Sequence, residues 1–476
     1  MFTMVILRRR MEAIITEMVS VLFRSGRSGI LNTGMDFSCA MTDSKFQSVS
    51  VELGLPIHTG AIHLIPQAVA SKFGGDMRPG DCFVNNSGYH GNSHCADVTF
   101  CAPVFYKGEL RFFTIARAHF ADIGFPTPTT YAPKARDVYE EGLKLPCVRI
   151  QQDYRDVSEV IDICKANIRV PEQFYGDYLG ALAAVRTGEK RLVQLCDRYG
   201  IDLIKRFLDE FQDYAERMTI EAIRKLPAGT IAREMRHDSW LKEYPDGIPI
   251  RARLTVDPVE ARITIDLTDN VDNLPLGINL SESTTLAASQ TAVFNVLGAN
   301  IPRCGGSLRR IEVRMREGSC VGKPRFPAAT SSATTNLVHL LTPVVQACFA
   351  GLGLQYAIAC GTVGMPASCS VLSGIDFRHD SRPFVDQLEI GLLGGPAVYG
   401  HDAWLTYGIA SSQGAVQQSS VEVSELQHPI LFENLKIRCD SGGAGQWDGA
   451  PGATVTFLAR RNPVRFMGTA AAQDYP

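Results

Sequence analysis

A chain of 476 residues is too long for one core of ordinary size, so two or three packed subdomains are expected, and an apolar content of 45% is enough to fill them. Lysine plus arginine (47) nearly balance aspartate plus glutamate (50), and a net charge of -3 without runs of like charge argues against a nucleic-acid partner or an acidic tail. The 13 cysteines are odd in number, scattered and set in apolar contexts without a Cys-x-x-Cys pair, which predicts buried free thiols in a reducing cytoplasm rather than a disulfide framework.

The apolar run ahead of Arg8-Arg9-Arg10 is too short for a secretion signal, and no segment has the apolar length of a membrane span. Over residues 7–23, Ile14, Ile15, Met18, Val19 and Leu22 recur on one face, predicting an amphipathic helix that ends before Ser25-Gly26. Asp36-Phe37-Ser38-Cys39-Ala40 then opens a strand-like stretch. Asp36 reads equally as a metal ligand or as a strand-initiating surface residue, and spacing does not choose between them. Leu55-Pro56-Ile57-His58-Thr59-Gly60 and His63 follow; five of the ten histidines lie between His58 and His119, although a single histidine is more often structural than a ligand.

Asp81 to Gly142 is the stretch around which the chain is organised. Asn85 and Asn86 suit a turn, and their side chains could also hold a substrate carbonyl or carboxylate. Gly91-Asn92-Ser93-His94-Cys95-Ala96-Asp97 and Ala118-His119-Phe120-Ala121-Asp122 each carry a His-x-x-Asp motif. Between them, residues 98–105 and 110–116 are rich in β-branched and aromatic side chains and are separated by the turn signal Tyr106-Lys107-Gly108-Glu109. A hairpin centred near Gly108 brings the start of its first strand beside the end of its second, so His94, Asp97, His119 and Asp122 converge. Two imidazoles and one or two carboxylates in that arrangement fit a divalent metal, zinc by its preference for imidazole, with manganese or iron accepted by the oxygen ligands. The bland alternative is that these polar residues satisfy backbone groups at the ends of loops. The Pro/Thr-rich loop 124–135 that follows is of the kind that covers a site.

Residues 156–226 turn to helix formers, with helical spacing over 157–165, 178–199 and 202–226. Beyond Pro227-Ala228-Gly229, residues 248–256 and 261–268 alternate around Asp257-Pro258 as a strand pair. Glycine-rich segments recur at Arg303-Cys304-Gly305-Gly306, at 391–400 and at 441–449, where amide groups could bind an anion. None is a phosphate loop, because Gly322-Lys323 is followed by Pro324, and no nucleophile elbow is present. The expected fold class is α+β, multi-subdomain: an N-terminal metal-site region over 1–155, a helical segment over 156–228, and a β-rich, glycine-rich C-terminal region over 229–476.

The order of these motifs resembles the hydantoinase B/oxoprolinase family. Leu55-Pro56-Ile57-His58-Thr59-Gly60, Gly80-Asp81, Gly91-Asn92-Ser93-His94-Cys95-Ala96-Asp97, Ala118-His119-Phe120-Ala121-Asp122-Ile123-Gly124, Tyr139-Glu140-Glu141-Gly142 and Arg438-Cys439-Asp440-Ser441-Gly442-Gly443-Ala444-Gly445 carry the resemblance across nearly the whole chain. The family includes components of ATP-dependent hydantoin and lactam hydrolases, the C-terminal part of 5-oxoprolinase, and components of acetone and acetophenone carboxylases. The resemblance implies a metal held by Asp36, His94, Asp97 and His119, which leaves Asp122 outside the ligand set. Asp122, Asn85 and His58 are then the candidate catalytic residues, Asp122 by orienting an imidazole or accepting a proton. Two departures stand out: Asn85-Asn86-Ser87-Gly88-Tyr89 replaces the family's usual Asn-Asp-Pro-Tyr, and Asp448-Gly449-Ala450 follows Trp447 in place of Arg-Gly-Gly. The chain also stops soon after that motif, where relatives often continue, which predicts a shortened C-terminal region.

The implied function is that of the metal-dependent catalytic subunit of an ATP-dependent cyclic-amide hydrolase in a cytoplasmic hetero-oligomer. A hydantoinase A-type partner uses ATP to phosphorylate the substrate, and a water activated by the metal attacks it. The enzyme alternative is a subunit of an ATP-dependent ketone carboxylase, toward which Thr129-Thr130-Tyr131 leans. The alternative of another class is a non-catalytic assembly subunit.

Overall fold

In the computed structural model, described for all residues except 1, 51–53, 362–363, 366–369, 392–393, 406–414, 473 and 476, the fold is mixed α and β. A seven-stranded antiparallel sheet runs in the order β2-β1-β5-β4-β3-β6-β7. Its strands are β1 (Phe37–Asp43), β2 (Ser48–Ser50), β3 (Cys82–Asn85), β4 (Asp97–Tyr106), β5 (Glu109–His119), β6 (Val148–Gln152) and β7 (Arg155–Asp156). The expected hairpin is β4–β5. Its two-residue turn has φ of 52° at Lys107 and 81° at Gly108, the twist that suits a tight antiparallel connection.

Alternation along these strands sorts side chains to two faces. Val98, Phe100, Ala102 and Val104 of β4 and Phe112, Ala116 and Ala118 of β5 pack into a core shared with α1 (Phe2–Ser25), α6 (Pro171–Tyr199) and α7 (Ile201–Ile223). Phe113 and Ile115 face the other way, onto α4 (Leu64–Phe73). Asp97, Thr99, Arg117 and His119 have the parity of this second face. The sheet thus presents its polar groups away from the helical layer, on the side where the short helix α3 (Pro56–Thr59) lies. The predicted N-terminal helix is α1, with Ile14, Ile15, Met18 and Leu22 buried. Because α6 packs on β4 and β5, the helical stretch and the sheet share one core.

The C-terminal half builds a second core. A four-stranded sheet, β11-β10-β9-β8, is made of β8 (Gly229–His237), β9 (Ile248–Asp257), β10 (Arg262–Asp266) and β11 (Ile311–Arg314), and α8 (Glu282–Leu297) and α10 (Val338–Ala350) pack against it. The predicted strand pair is β9–β10, in antiparallel register from Arg262 opposite Asp257. At Gly305 and Gly306, which open the helix α9 (Gly305–Leu308), a Cβ on Gly306 would stand 2.0 Å from the Gln212 carbonyl oxygen. That glycine serves close packing onto α7. In the 441–449 segment, the Gly445 amide donates to the Asp448 carboxylate at 3.0 Å, so a carboxylate of the chain itself takes that donor. Residues 392–393 of the 391–400 glycine-rich segment lie outside the described residues. Ten of the twelve described cysteines are buried, and all twelve are free thiols. Among the described residues no helix is long and apolar enough to cross a membrane.

Candidate metal centre

Strand pairing assembles the site. Asp97 opens β4 directly opposite His119, the last residue of β5. One rung beyond β1, the His119 amide donates to the Asp36 carbonyl at 3.1 Å, which sets Asp36 beside the pair. The loop carrying His94 is held by two asparagines. Asn92 donates to the His94 and Asp97 carbonyls, each at 2.7 Å, and accepts from the Thr99 hydroxyl at 2.7 Å. Asn86 donates to the Cys95 and Leu143 carbonyls at 2.9 Å and accepts from the Leu145 amide at 2.7 Å. A carboxylate at position 86 could not make those two donations, so Asn86 braces the loop.

His94, Asp97 and His119 offer ligand atoms that all lie within 4.8 Å of one another, and the three residues are buried. Hydrogen bonds on the far side of each ring fix what the rings present. Nδ1 of His94 lies 2.7 Å from the Ser331 carbonyl, which can only accept, so the proton is on Nδ1. Nε2 is left without a hydrogen-bond partner, 3.1 Å from Asp97 Oδ1. The Thr130 hydroxyl donates to the Phe120 carbonyl at 2.9 Å and therefore accepts from His119 Nε2 at 2.7 Å. In that tautomer the His119 Nδ1 lone pair faces inward, 3.1 Å from Asp97 Oδ1 and 4.0 Å from Asp36 Oδ2.

The charges agree with this arrangement. Burial pushes His119 down to about 4, so it is neutral near pH 7. Burial works against ionisation of Asp97, but the surrounding His94, His58 and His119 imidazoles outweigh it and hold the carboxyl well below its usual range. Asp36 is held well above its usual value by burial, then by Asp97 and by Glu389. Two imidazole lone pairs, one carboxylate and a second carboxyl short of a counter-charge all point inward; a divalent cation is the group that satisfies them together. The donor set of His94, Asp97 and His119 therefore fits a metal; Asp36 is not part of that three-residue group, but its Oδ1 beside it is also buried without a hydrogen-bond partner.

His58, from α3, joins the cluster: its Nε2 lies 3.3 Å from Asp97 Oδ2 and 3.6 Å from Asp36 Oδ1, and its Nδ1 lies 3.3 Å from Ser38 Oγ. Asp122 and Asn85 are not brought in. The Asp122 carboxylate accepts from the Gly124 and Arg169 amides at 2.9 and 2.7 Å and pairs with the Arg169 guanidinium at 3.2 Å, so it anchors the chain beyond α5 (Ser158–Asn167) rather than orienting an imidazole. Asn85 closes its own turn, donating to the His90 carbonyl at 2.8 Å and accepting from the Ser87 amide at 3.0 Å.

Several participants escape a reading by spacing. The Ser93 hydroxyl donates to Asp97 Oδ2. The Tyr131 ring lies against both imidazoles, 5.7 Å from His94 at an interplanar angle of 8° and 5.1 Å from His119. Thr130 and Tyr131 belong to the loop expected to cover a site, which was the available signal. Glu141 accepts from the Thr330 and Ser331 amides and so secures the carbonyl that anchors His94. Thr130→Val removes the acceptor for His119 Nε2–H at nearly constant volume and is expected to weaken metal affinity by roughly 10- to 100-fold. A chelator-competition titration checks this, and an unchanged affinity would contradict the assigned tautomer.

A seven-stranded sheet with a buried His-Asp-His cluster at one strand end is the arrangement of a candidate metal centre. The chain belongs to the hydantoinase B/oxoprolinase family, whose family model matches residues 1–476. It is 27% identical to the beta subunit of the caprolactamase of Pseudomonas jessenii, over 100% of this chain and 81% of that one. It is 28% identical to the B component of a putative D-/L-hydantoinase from a Pseudomonas species, over 94% and 76%. The crystal structure of the ATP-dependent caprolactamase from Pseudomonas jessenii superposes with a TM-score of 0.87 at 25% identity, covering 96% of this chain and 78% of that chain.

Proposed function

We propose that this chain is the metal-bearing catalytic subunit of an ATP-dependent cyclic-amide hydrolase, acting on a lactam or hydantoin activated by a hydantoinase A-type partner in a cytoplasmic hetero-oligomer. The observation that carries the reading is the pair of imidazoles, each tied down on its outer nitrogen and turning the lone pair of its inner one toward Asp97. His94, Asp97 and His119, with Asp36 as the fourth, hold the divalent ion, zinc by the imidazole content and manganese or iron by the carboxylates. When bound, such an ion polarises a carbonyl and lowers the pKa of a water.

The residues of this chain do the rest. An amide is a poor electrophile, and transfer of phosphate to its oxygen by the partner makes ring opening feasible; the lack of a phosphate loop in this chain accords with that division of labour. His58 Nε2, between the two carboxylates, takes the proton of the attacking water and passes it to the ring nitrogen as the C–N bond breaks, and a second water releases phosphate from the resulting acyl phosphate. Tyr131 and the loop that carries it keep bulk water from the imidazoles. The test is turnover of the complex co-purified with its partner, given ATP and either cyclic amides or aryl ketones, with and without bicarbonate. Ring opening coupled to phosphate release without bicarbonate is expected. Product that forms only from ketone and bicarbonate would replace this reading with the carboxylase one.

A further inference from the structure

Arg117 is fully buried in β5, on the face of the sheet that carries the centre, and among the described residues it hydrogen-bonds no carboxylate. Its guanidinium donates to three neutral oxygens: Nε to Thr99 Oγ1 at 3.0 Å, Nη1 to the His58 carbonyl at 2.7 Å, and Nη2 to the Gly91 carbonyl at 3.4 Å. We infer that Arg117 is a positioning residue of the candidate centre, locking the segments that carry His58, His94, Asp97 and His119 into one frame. The inference rests on the reading of that centre as a metal site.

The argument is one of direction. Arginine only donates, so Thr99 Oγ1 must accept from it and turn its own proton to Asn92 Oδ1, 2.7 Å away. With its oxygen thus occupied, Asn92 can present only its amide hydrogens to the His94 and Asp97 carbonyls. One permanent cation therefore sets every donor and acceptor along a line that ends on the backbone of two candidate ligands. The same guanidinium holds the carbonyl of His58 and sits two residues before His119. The buried guanidinium carries a desolvation cost, which the nearby Asp97 charge and its three acceptors offset, and removing it would leave those buried acceptors without a donor. A lysine could not reproduce the fork, because its ammonium is a point donor.

The test compares the wild-type chain with Arg117→Met and Thr99→Val. Cobalt(II) serves as the probe, with affinity read by chelator competition, the ligand field by the visible absorption spectrum, and folding by thermal denaturation. The expected result is an Arg117→Met chain that folds with a lowered melting temperature, roughly 10- to 100-fold weaker cobalt binding and an altered spectrum. Thr99→Val, which breaks the line and leaves the charge in place, shows a smaller shift in the same direction and carries the test if Arg117→Met fails to fold. Folded variants that bind cobalt with wild-type affinity and spectrum overturn the inference. A wild-type chain that binds no cobalt overturns the reading of the centre itself, and this inference with it.

Discussion

Replacing His94 with alanine is expected to bring bound metal down to background and to abolish turnover of the assembled enzyme, with the fold retained. His94 Nε2 is buried and without a hydrogen-bond partner, so the substitution removes a proposed ligand atom and no hydrogen bond on that side of the ring. On the other side only the contact to the Ser331 carbonyl is lost. Metal analysis, turnover and circular dichroism of the same preparation check the three parts. A folded His94→Ala chain that keeps its metal and its activity would end the assignment.

The second large effect is on stability and depends on pH. Glu141 is buried, and burial pushes its carboxyl up to about 7 from an ordinary 4.5, against the lowering effect of the Thr330 and Ser331 amides. Between those values the folded chain keeps a proton that the unfolded chain has released, so the stability this group contributes is full below about 4.5 and is lost as pH rises through 7. Over the whole window the change is on the order of 3 kcal/mol. Glu141→Gln can still accept from the Thr330 amide but does not titrate. Denaturant midpoints of the metal-free chains near pH 5 and pH 8 should therefore show the wild type losing stability relative to the variant at the higher pH. An equal difference at both values would contradict the burial argument. The same comparison cancels the contribution of His119 and other groups common to both chains.

Local pairing explains what spacing could reveal. The β4–β5 hairpin is written in two alternating runs and a Lys107-Gly108 turn, and because the hairpin is local, it brings Asp97 and His119 together with no further information. Asp36 is different: its place depends on β1 pairing with β5 in the register that sets Phe37 opposite Ala118, a long-range choice that spacing does not record. Only the resemblance singled it out.

Asp122 repeats the His-x-x-Asp spacing of Asp97 but lies beyond the strand end, where the Phe120 amide turns to the Ala96 carbonyl and the next residues leave the ladder. Its partner, Arg169, comes from beyond the following helix. Thr130, Ser331 and Glu141 act on the histidines from distant segments, two of them through a backbone carbonyl that no residue type announces. Helical spacing over 178–199 and 202–226 is legible in the sequence, although the first helix begins earlier, at Pro171, and the second ends at Ile223; the layer they form against β4 and β5 follows from packing that the pattern of one helix does not specify.

The most direct measurement is elemental analysis of the wild-type chain after gel filtration, alone and with its partner. One tightly held divalent ion per chain, lost on Asp97→Ala, is the predicted result. A chain that carries no stoichiometric metal in either state would contradict the account at its centre and leave the convergence of His94, Asp97 and His119 as a matter of packing.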